Sequence, residues 1–183
     1  MRKNNTITIV LVGLFAAILS ICAPIAIRLP FTAVPISLAT FAVYLCGAVL
    51  GPYLGTASVA IYLLLGLAGV PVFSNYTQGV PVLVGPTGGY IIGYLFMAFS
   101  TGLAVKKMPK KYLGYPIGMV IGTVACYAIG TAWFMFQTKT AFTAAMTMCV
   151  YPFIPTDIMK IVAAIALAYP LNYALRSQMA SVR

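Results

Sequence analysis

Apolar residues run along this chain in six blocks, roughly 7–27, 36–50, 54–70, 88–105, 115–136 and 157–175, separated by polar, glycine-rich or proline-rich stretches. Polar positions inside the blocks are too sparse to define the wet face that a soluble amphipathic helix needs. Such runs predict membrane-spanning helices, since about 20 residues rising 1.5 Å each cross a hydrocarbon core ~30 Å thick. The second and third blocks are shorter, which predicts tilt or irregular ends. Pro24, Pro30 and Pro35 surround the first connection, GPYLG separates the second and third blocks, and Pro71, Pro81 and Pro86 punctuate the third loop. Each proline removes a backbone donor and disfavours helix in the residue before it. The pattern predicts an all-α membrane protein of six transmembrane helices, in a single domain over residues 1–183.

Composition strengthens this reading. Hydrophobic residues make up 62% of the chain and charged ones 7%, against about 45–50% and ~25% in soluble domains. A formal charge of +10 would suggest nucleic acid in a soluble protein. Here the cations lie between blocks and at the ends, where they set topology. Arg2, Lys3, Lys106, Lys107, Lys110, Lys111, Arg176 and Arg183 fall on one side of a six-span chain, and Arg28, Lys139 and Lys160 on the other. That bias predicts cytoplasmic termini in a bacterial plasma membrane. The opening MRKNN and the SICA sequence resemble a signal peptide with its cleavage site. The apolar run between them is long enough to span, so a retained first helix is expected.

Small residues recur every fourth position: Gly13 and Ala17, Ala16 and Ser20, Gly47, Gly51 and Gly55, Gly85, Gly89 and Gly93, then Gly114, Gly118 and Gly122, continued by Cys126 and Gly130. On a helix this spacing lets a second helix approach closely, in a solvent that supplies no hydrophobic drive for association. Packing inside the bundle is expected for most of them, while Gly13, Ala16, Ala17 and Ser20 in the first helix are equally suited to a partner protein.

The chain holds one acidic residue, Asp157, and Lys160 follows it three positions later. Charges cost about 2.5–3.5 kcal/mol at the centre of a membrane helix, so both need compensation. Thr156 after Pro155 is the expected N-cap, putting Asp157 in the first turn, where the helix dipole favours a carboxylate. Lys160 lies ~4.5 Å deeper on the same face, within reach of Asp157 or of a ligand anion. An interfacial ion pair is the plain alternative; an intramembrane ionisable pair is by default a functional-site hypothesis. Together the two groups suit a small molecule with a urea-like head and a carboxylate tail. The third loop adds Ser74, Asn75, Tyr76, Thr77, Gln78 and Tyr90, with the length of a lid over a pocket. Arg28 is divided between interfacial anchor and pocket rim.

Enzyme chemistry fits poorly. The chain contains no GxxxxGK[ST] phosphate loop, no histidine and no second carboxylate, which excludes nucleotide hydrolysis by that route, aspartyl proteolysis and the familiar metalloprotease and glycosidase arrangements. Cys22, Cys46, Cys126 and Cys149 are dispersed, so neither a disulfide framework nor a metal site is expected.

The segments LPFTAVPISLATFAVYLCGAVLGPYLGTASVAIYLLLGLAGVPVFS, GPTGGYIIGYL and YPFIPTDIMKIVAAIALA, from Leu29 to Ala168, closely resemble the BioY family of biotin-specific S components of energy-coupling factor (ECF) transporters. The resemblance implies an S-component bundle that captures biotin from outside and associates with an ECF module of a coupling protein (EcfT) and two ATPases. Release inside would follow toppling of the subunit in the membrane. It implies Asp157 on the ureido N–H groups and Lys160 on the valerate carboxylate, with the reverse open. Asn75, Gln78 and Tyr90 become lid and wall residues, and Gly13, Ala16, Ala17 and Ser20 the face toward the coupling protein. Two positions depart from the family pattern: Ala39 where glutamine is frequent, and Thr156 where glycine is. No cofactor is expected; biotin is cargo, the partners are membrane lipid and the ECF module, and nucleic acid is not among them. Since a fold does not fix a ligand, an S component for another water-soluble vitamin is the alternative, and a structural membrane protein with a merely satisfied ion pair is a third.

Overall fold

The computed structural model describes the backbone of residues 2–28, 30, 32, 34–108 and 111–180, and side chains from Thr6 to Leu175 within that range except Lys111 and Tyr112. Leu29, Lys110 and Arg183, and the side chains of Arg2, Lys3, Lys111 and Arg176, lie outside the described residues. Helix α1 spans Arg2–Cys22. A short antiparallel pair, β1 (Ala26–Ile27) and β2 (Ile36–Ser37), leads into α2 (Ala39–Leu67). A 3-10 turn (Ser74–Tyr76) and α3 (Val80–Val84) precede α4 (Gly88–Lys107), α5 (Lys111–Thr138), α6 (Phe142–Cys149) and α7 (Phe153–Ala180). Four helical stretches are long and apolar enough to cross a membrane, Ala39–Leu67, Gly88–Lys107, Leu113–Thr138 and Phe153–Leu175, and Thr6–Cys22 is a shorter apolar one.

Helix α2 unites the second and third blocks, but not as one rod. Gly51 takes φ +83° and Pro52 follows it. Only glycine adopts that backbone region without strain. The second arm returns onto the first, so that a Cβ on Gly55 would stand 2.4 Å from the Cys46 carbonyl and 2.9 Å from the Gly47 Cα. A straight helix would hold those positions about 12 Å apart along its axis. The connection expected at GPYLG is therefore a tight reversal.

The first arm ends at Gly51, which leaves the Ala48 carbonyl without a helical donor. The Asn172 side chain of α7 takes that place, donating to the Ala48 carbonyl at 2.8 Å and to the Tyr115 hydroxyl at 2.9 Å. At the other end of this arm the buried Ser37 hydroxyl accepts from the Ala39 N–H and donates to the Ala23 carbonyl, both at 2.9 Å. One side chain thus joins the end of α1 to the start of α2.

The small-residue stripe on α5 packs inside the bundle, as its spacing predicts. Gly114, Gly118 and Gly122 lie against Val105, Thr101 and Met97 of α4, and Gly93 of α4 lies against Cys126. In α1 the two small-residue pairs divide: Ala16 is 1% exposed and turned into the core, Ser20 is half-buried with its hydroxyl on the Ala16 carbonyl, and Gly13 and Ala17 are exposed.

Helix α7 presents a buried line of Asp157, Ile161, Ala164 and Ala168 to the bundle, the i, i+3, i+4 spacing of one helix face. Ile158, Met159 and Val162 point outward and are exposed, as a lipid-facing surface allows. Between α5, α6 and α7 an apolar groove of about 750 Å³ remains, lined by Val124, Ala128, Phe142, Met146 and Ile158 and reaching Tyr127 and Asp157 at its base.

Candidate ligand site

The polar centre is assembled by α2, α5 and α7. Asp157 is 4% exposed, and its Oδ1 lies 3.0 Å from the Lys160 ammonium. Thr40, in the first turn of α2, accepts from Lys160 at 3.1 Å and donates to Asp157 Oδ1 at 3.3 Å. From α5 the Tyr127 hydroxyl donates to Asp157 Oδ2 at 2.6 Å. The carboxylate therefore has a partner on each oxygen and the ammonium has two, which is what allows a charge pair to persist in an apolar bundle.

The helix start differs from the sequence expectation. Helix α7 begins at Phe153, and the Thr156 hydroxyl donates back to the Phe153 carbonyl at 2.8 Å instead of capping. Pro155 sits within the first turn, where its missing N–H costs the helix nothing. Asp157 consequently lies beyond the first turn, and its stabilisation comes chiefly from Tyr127, Thr40 and Lys160 rather than from the dipole, which fades within one turn.

Two spaces that share a wall lie at and above this pair. A small cavity of about 40 Å³ is bounded by Thr40, Met97, Tyr127, Phe153, Asp157 and Lys160. Above it, and sharing Val34, Pro35, Tyr90 and Tyr94, opens a cleft of about 430 Å³ whose upper wall carries Arg28, Thr32, Ser74, Asn75 and Thr77. The combination has the size and character of a small-molecule site, mostly apolar with a few fixed polar groups.

Of the residues expected in a pocket, Asp157, Lys160, Tyr90, Asn75 and Arg28 line these spaces. Tyr90 is buried, with its hydroxyl 2.8 Å from that of Thr131. With its amide oriented to suit its neighbours, Asn75 donates to the Ala26 carbonyl at 3.2 Å and accepts from Arg28 Nε at 3.3 Å. Gln78 is exposed and outside the lining. Its register explains this, since the chain turns at Gly79 (φ +85°) and directs Pro81 and Val82 inward instead.

The third loop is also more structured than a long connection need be. Phe73 is fully buried, edge-on to Tyr62 at 5.6 Å, the Asn75 N–H reaches the Pro24 carbonyl at 3.1 Å, and the Gly79 N–H reaches the Gly66 carbonyl at 2.8 Å. Trp133 donates to the Gly85 carbonyl at 2.9 Å, and Gln137 to the Val84 carbonyl. Thr40 and Tyr127 are the site residues that sequence reading did not single out. Thr40 adjoins the departure at Ala39, and Tyr127 follows Cys126 on the α5 stripe. Neither position signals a partner more than a hundred residues away or on another helix.

The BioY family model matches residues 1–177. This chain belongs to the BioY family. Among its relatives, the biotin transporter BioY of Thermotoga maritima is 38% identical over 160 residues, covering 87% of this chain and 92% of the relative. The probable biotin transporter BioY of Pyrococcus horikoshii is 38% identical over 162 residues, covering 88% and 94%, and biotin transporter BioY2 of Lactococcus lactis is 33% identical over 160 residues, covering 87% of each. A solved structure described as the S-component for biotin from an ECF-type ABC transporter superposes with a TM-score of 0.87 at 27% identity, covering 94% of both chains. The BioY relatives are transporters rather than enzymes, and the apolar helices make this BioY member a multi-pass membrane protein.

Proposed function

We propose that this chain is the biotin-specific S component of an ECF-type transporter, binding biotin in the Asp157–Lys160 cleft and delivering it with the help of an ECF module that supplies ATP hydrolysis. The observation that carries the reading is a buried charge pair, held by Tyr127 and Thr40, in a small cavity that shares its wall with a polar-rimmed cleft, in a chain whose relatives are named biotin transporters.

The 3.0 Å separation of the two charges changes the expected division of labour. Biotin's polar ends are separated by a ring and a carbon chain, and groups in mutual contact cannot straddle them. An acceptor beside a donor matches instead one end, the ureido edge, with N–H toward Asp157 and C=O toward Lys160. The valerate carboxylate is then left to the upper cleft, where Arg28, held by Asn75, supplies the positive charge. Tyr90 serves as wall, and Gln78 has no direct contact in this reading.

The fold on this proposal is a six-span S-component bundle: α1, the two arms of α2, α4, α5 and α7. The positive-inside bias then puts both termini in the cytoplasm and the cleft at the outer face. Gly13 and Ala17 form the outward small-residue face toward the coupling protein, and toppling of the subunit carries the ligand inward.

Titration of the purified protein with biotin and with other water-soluble vitamins tests the assignment. Saturable, biotin-selective binding is expected; preference for another vitamin, or no binding, refutes it. Asp157→Asn and Lys160→Ala are each expected to weaken biotin by more than about tenfold, since a charge-assisted hydrogen bond contributes roughly 1.5–3 kcal/mol. Unchanged affinity in both folded variants would remove the pair from the site.

A further inference from the structure

Asp157 and Lys160 alone make a promiscuous pair. An ionised carboxylate offers about four acceptor positions and an ammonium three donors, so many ligands in many orientations would satisfy them. The neighbours reduce that number. Asp157 Oδ1 is saturated by Lys160 and Thr40, at 3.0 and 3.3 Å. Oδ2 receives Tyr127 at 2.6 Å and has room for one more donor. Lys160 gives one N–H to Asp157 and one to Thr40, at 3.0 and 3.1 Å, keeping its third. Among the described residues no other group takes up these two remaining valences, and the pair lines the small cavity at the base of the cleft.

We infer that Tyr127 and Thr40 are positioning residues that convert the charge pair into a reader with one free acceptor and one free donor, selective for a ligand edge presenting a single N–H beside a C=O. Thr40 acts through both charges at once, relaying a proton donor from Lys160 to Asp157 Oδ1 and closing a three-membered ring of hydrogen bonds. Tyr127 acts on the remaining oxygen and fixes the side from which a ligand N–H approaches. Because Asp157 and Lys160 are buried, a ligand atom that fails to meet either valence leaves a buried polar group unpaired, a penalty larger than the gain from the bond it would have made. The two ring N–H groups of a urea are then not equivalent: one is read by Asp157, the other is not.

The inference rests on the biotin reading above, and its test separates the two. Dissociation constants are measured for biotin and for the two isosteric analogues in which one or the other ring N–H is replaced by oxygen. The unmodified protein is expected to reject one analogue by about tenfold or more and to tolerate the other. Tyr127→Phe, which keeps the ring and removes only the hydroxyl, is expected to weaken biotin about tenfold and to shrink the ratio between the analogues at least about threefold. Thr40→Val is expected to do likewise, with Thr40→Ser restoring both values. If Tyr127→Phe lowers all three affinities by one common factor, the residue is packing only and the inference falls. If the unmodified protein binds biotin but treats the analogues alike, the reader does not exist although the biotin reading stands. If it does not bind biotin, both fall.

Discussion

Arg28 gains its meaning from its neighbours. In the sequence it is a cation near three prolines, as suited to anchoring the chain at the interface as to contacting a ligand. In the fold its guanidinium meets Asn75 across the mouth of the cleft, while the other two charges are occupied with each other below. If Arg28 receives the ligand carboxylate, Arg28→Gln should weaken biotin by about 5- to 30-fold, a charge-assisted contact of roughly 1–2 kcal/mol at an exposed site. The same change should leave the affinity of biotin amide, which lacks the charge, nearly unaltered. Equal losses for acid and amide would return Arg28 to the role of interfacial anchor. Gln78→Ala should leave binding of either compound unchanged, since that side chain is exposed outside the cleft lining.

Among the elements, α2 shows how a local defect becomes architecture. Gly51 and Pro52 break the helix, and the break frees the Ala48 carbonyl that Asn172 then binds from α7. The first arm of α2 is consequently tied to α7 at both ends, by Asn172 near the kink and by Thr40 at Lys160 and Asp157. Asn172→Leu should destabilise the protein by about 1–3 kcal/mol, the cost of a buried carbonyl left without a donor, read as a fall in the unfolding midpoint in detergent. Gly51→Ala should also destabilise, by roughly 1–2 kcal/mol, because the backbone there is left-handed. Gly55→Leu should be worse than either, since the Cys46 carbonyl stands where its Cβ would go.

Taken as a whole, the molecule has separate surfaces for separate tasks. The cleft opens at the end that carries the third loop, the α4–α5 glycine contacts are closed inside, and the outward side of α1 shows Gly13 and Ala17. On the proposed function, Gly13→Leu combined with Ala17→Leu should abolish biotin uptake by the assembled transporter while leaving biotin affinity of the isolated subunit within about twofold, because a Cβ on Gly13 meets nothing within 4 Å. Loss of both properties together would mean that this face supports the bundle itself. Ala16, buried against the core, belongs to that supporting role and is not available to a partner.

Much of this was legible in the chain. Its apolar blocks place it in a membrane, because hydrocarbon tolerates only segments whose backbone groups are satisfied internally and whose side chains are apolar. The four-residue glycine spacing predicted packing inside the bundle, since that periodicity lies on one helical face whatever the partner, and the fold supplied α4 as the partner of α5. The Asp157–Lys160 pair was legible for the same reason, both residues belonging to one helix. What the sequence did not disclose is what crosses between elements: the inward turn of Ala16, the exclusion of Gln78, and the hydroxyls of Thr40 and Tyr127, 117 and 30 positions away from the carboxylate they hold. Local chemistry determined where a charge pair would sit along one helix. Only the packing of three helices decided which hydrogen-bonding valences that pair keeps free, because those depend on distances that no spacing along the chain encodes.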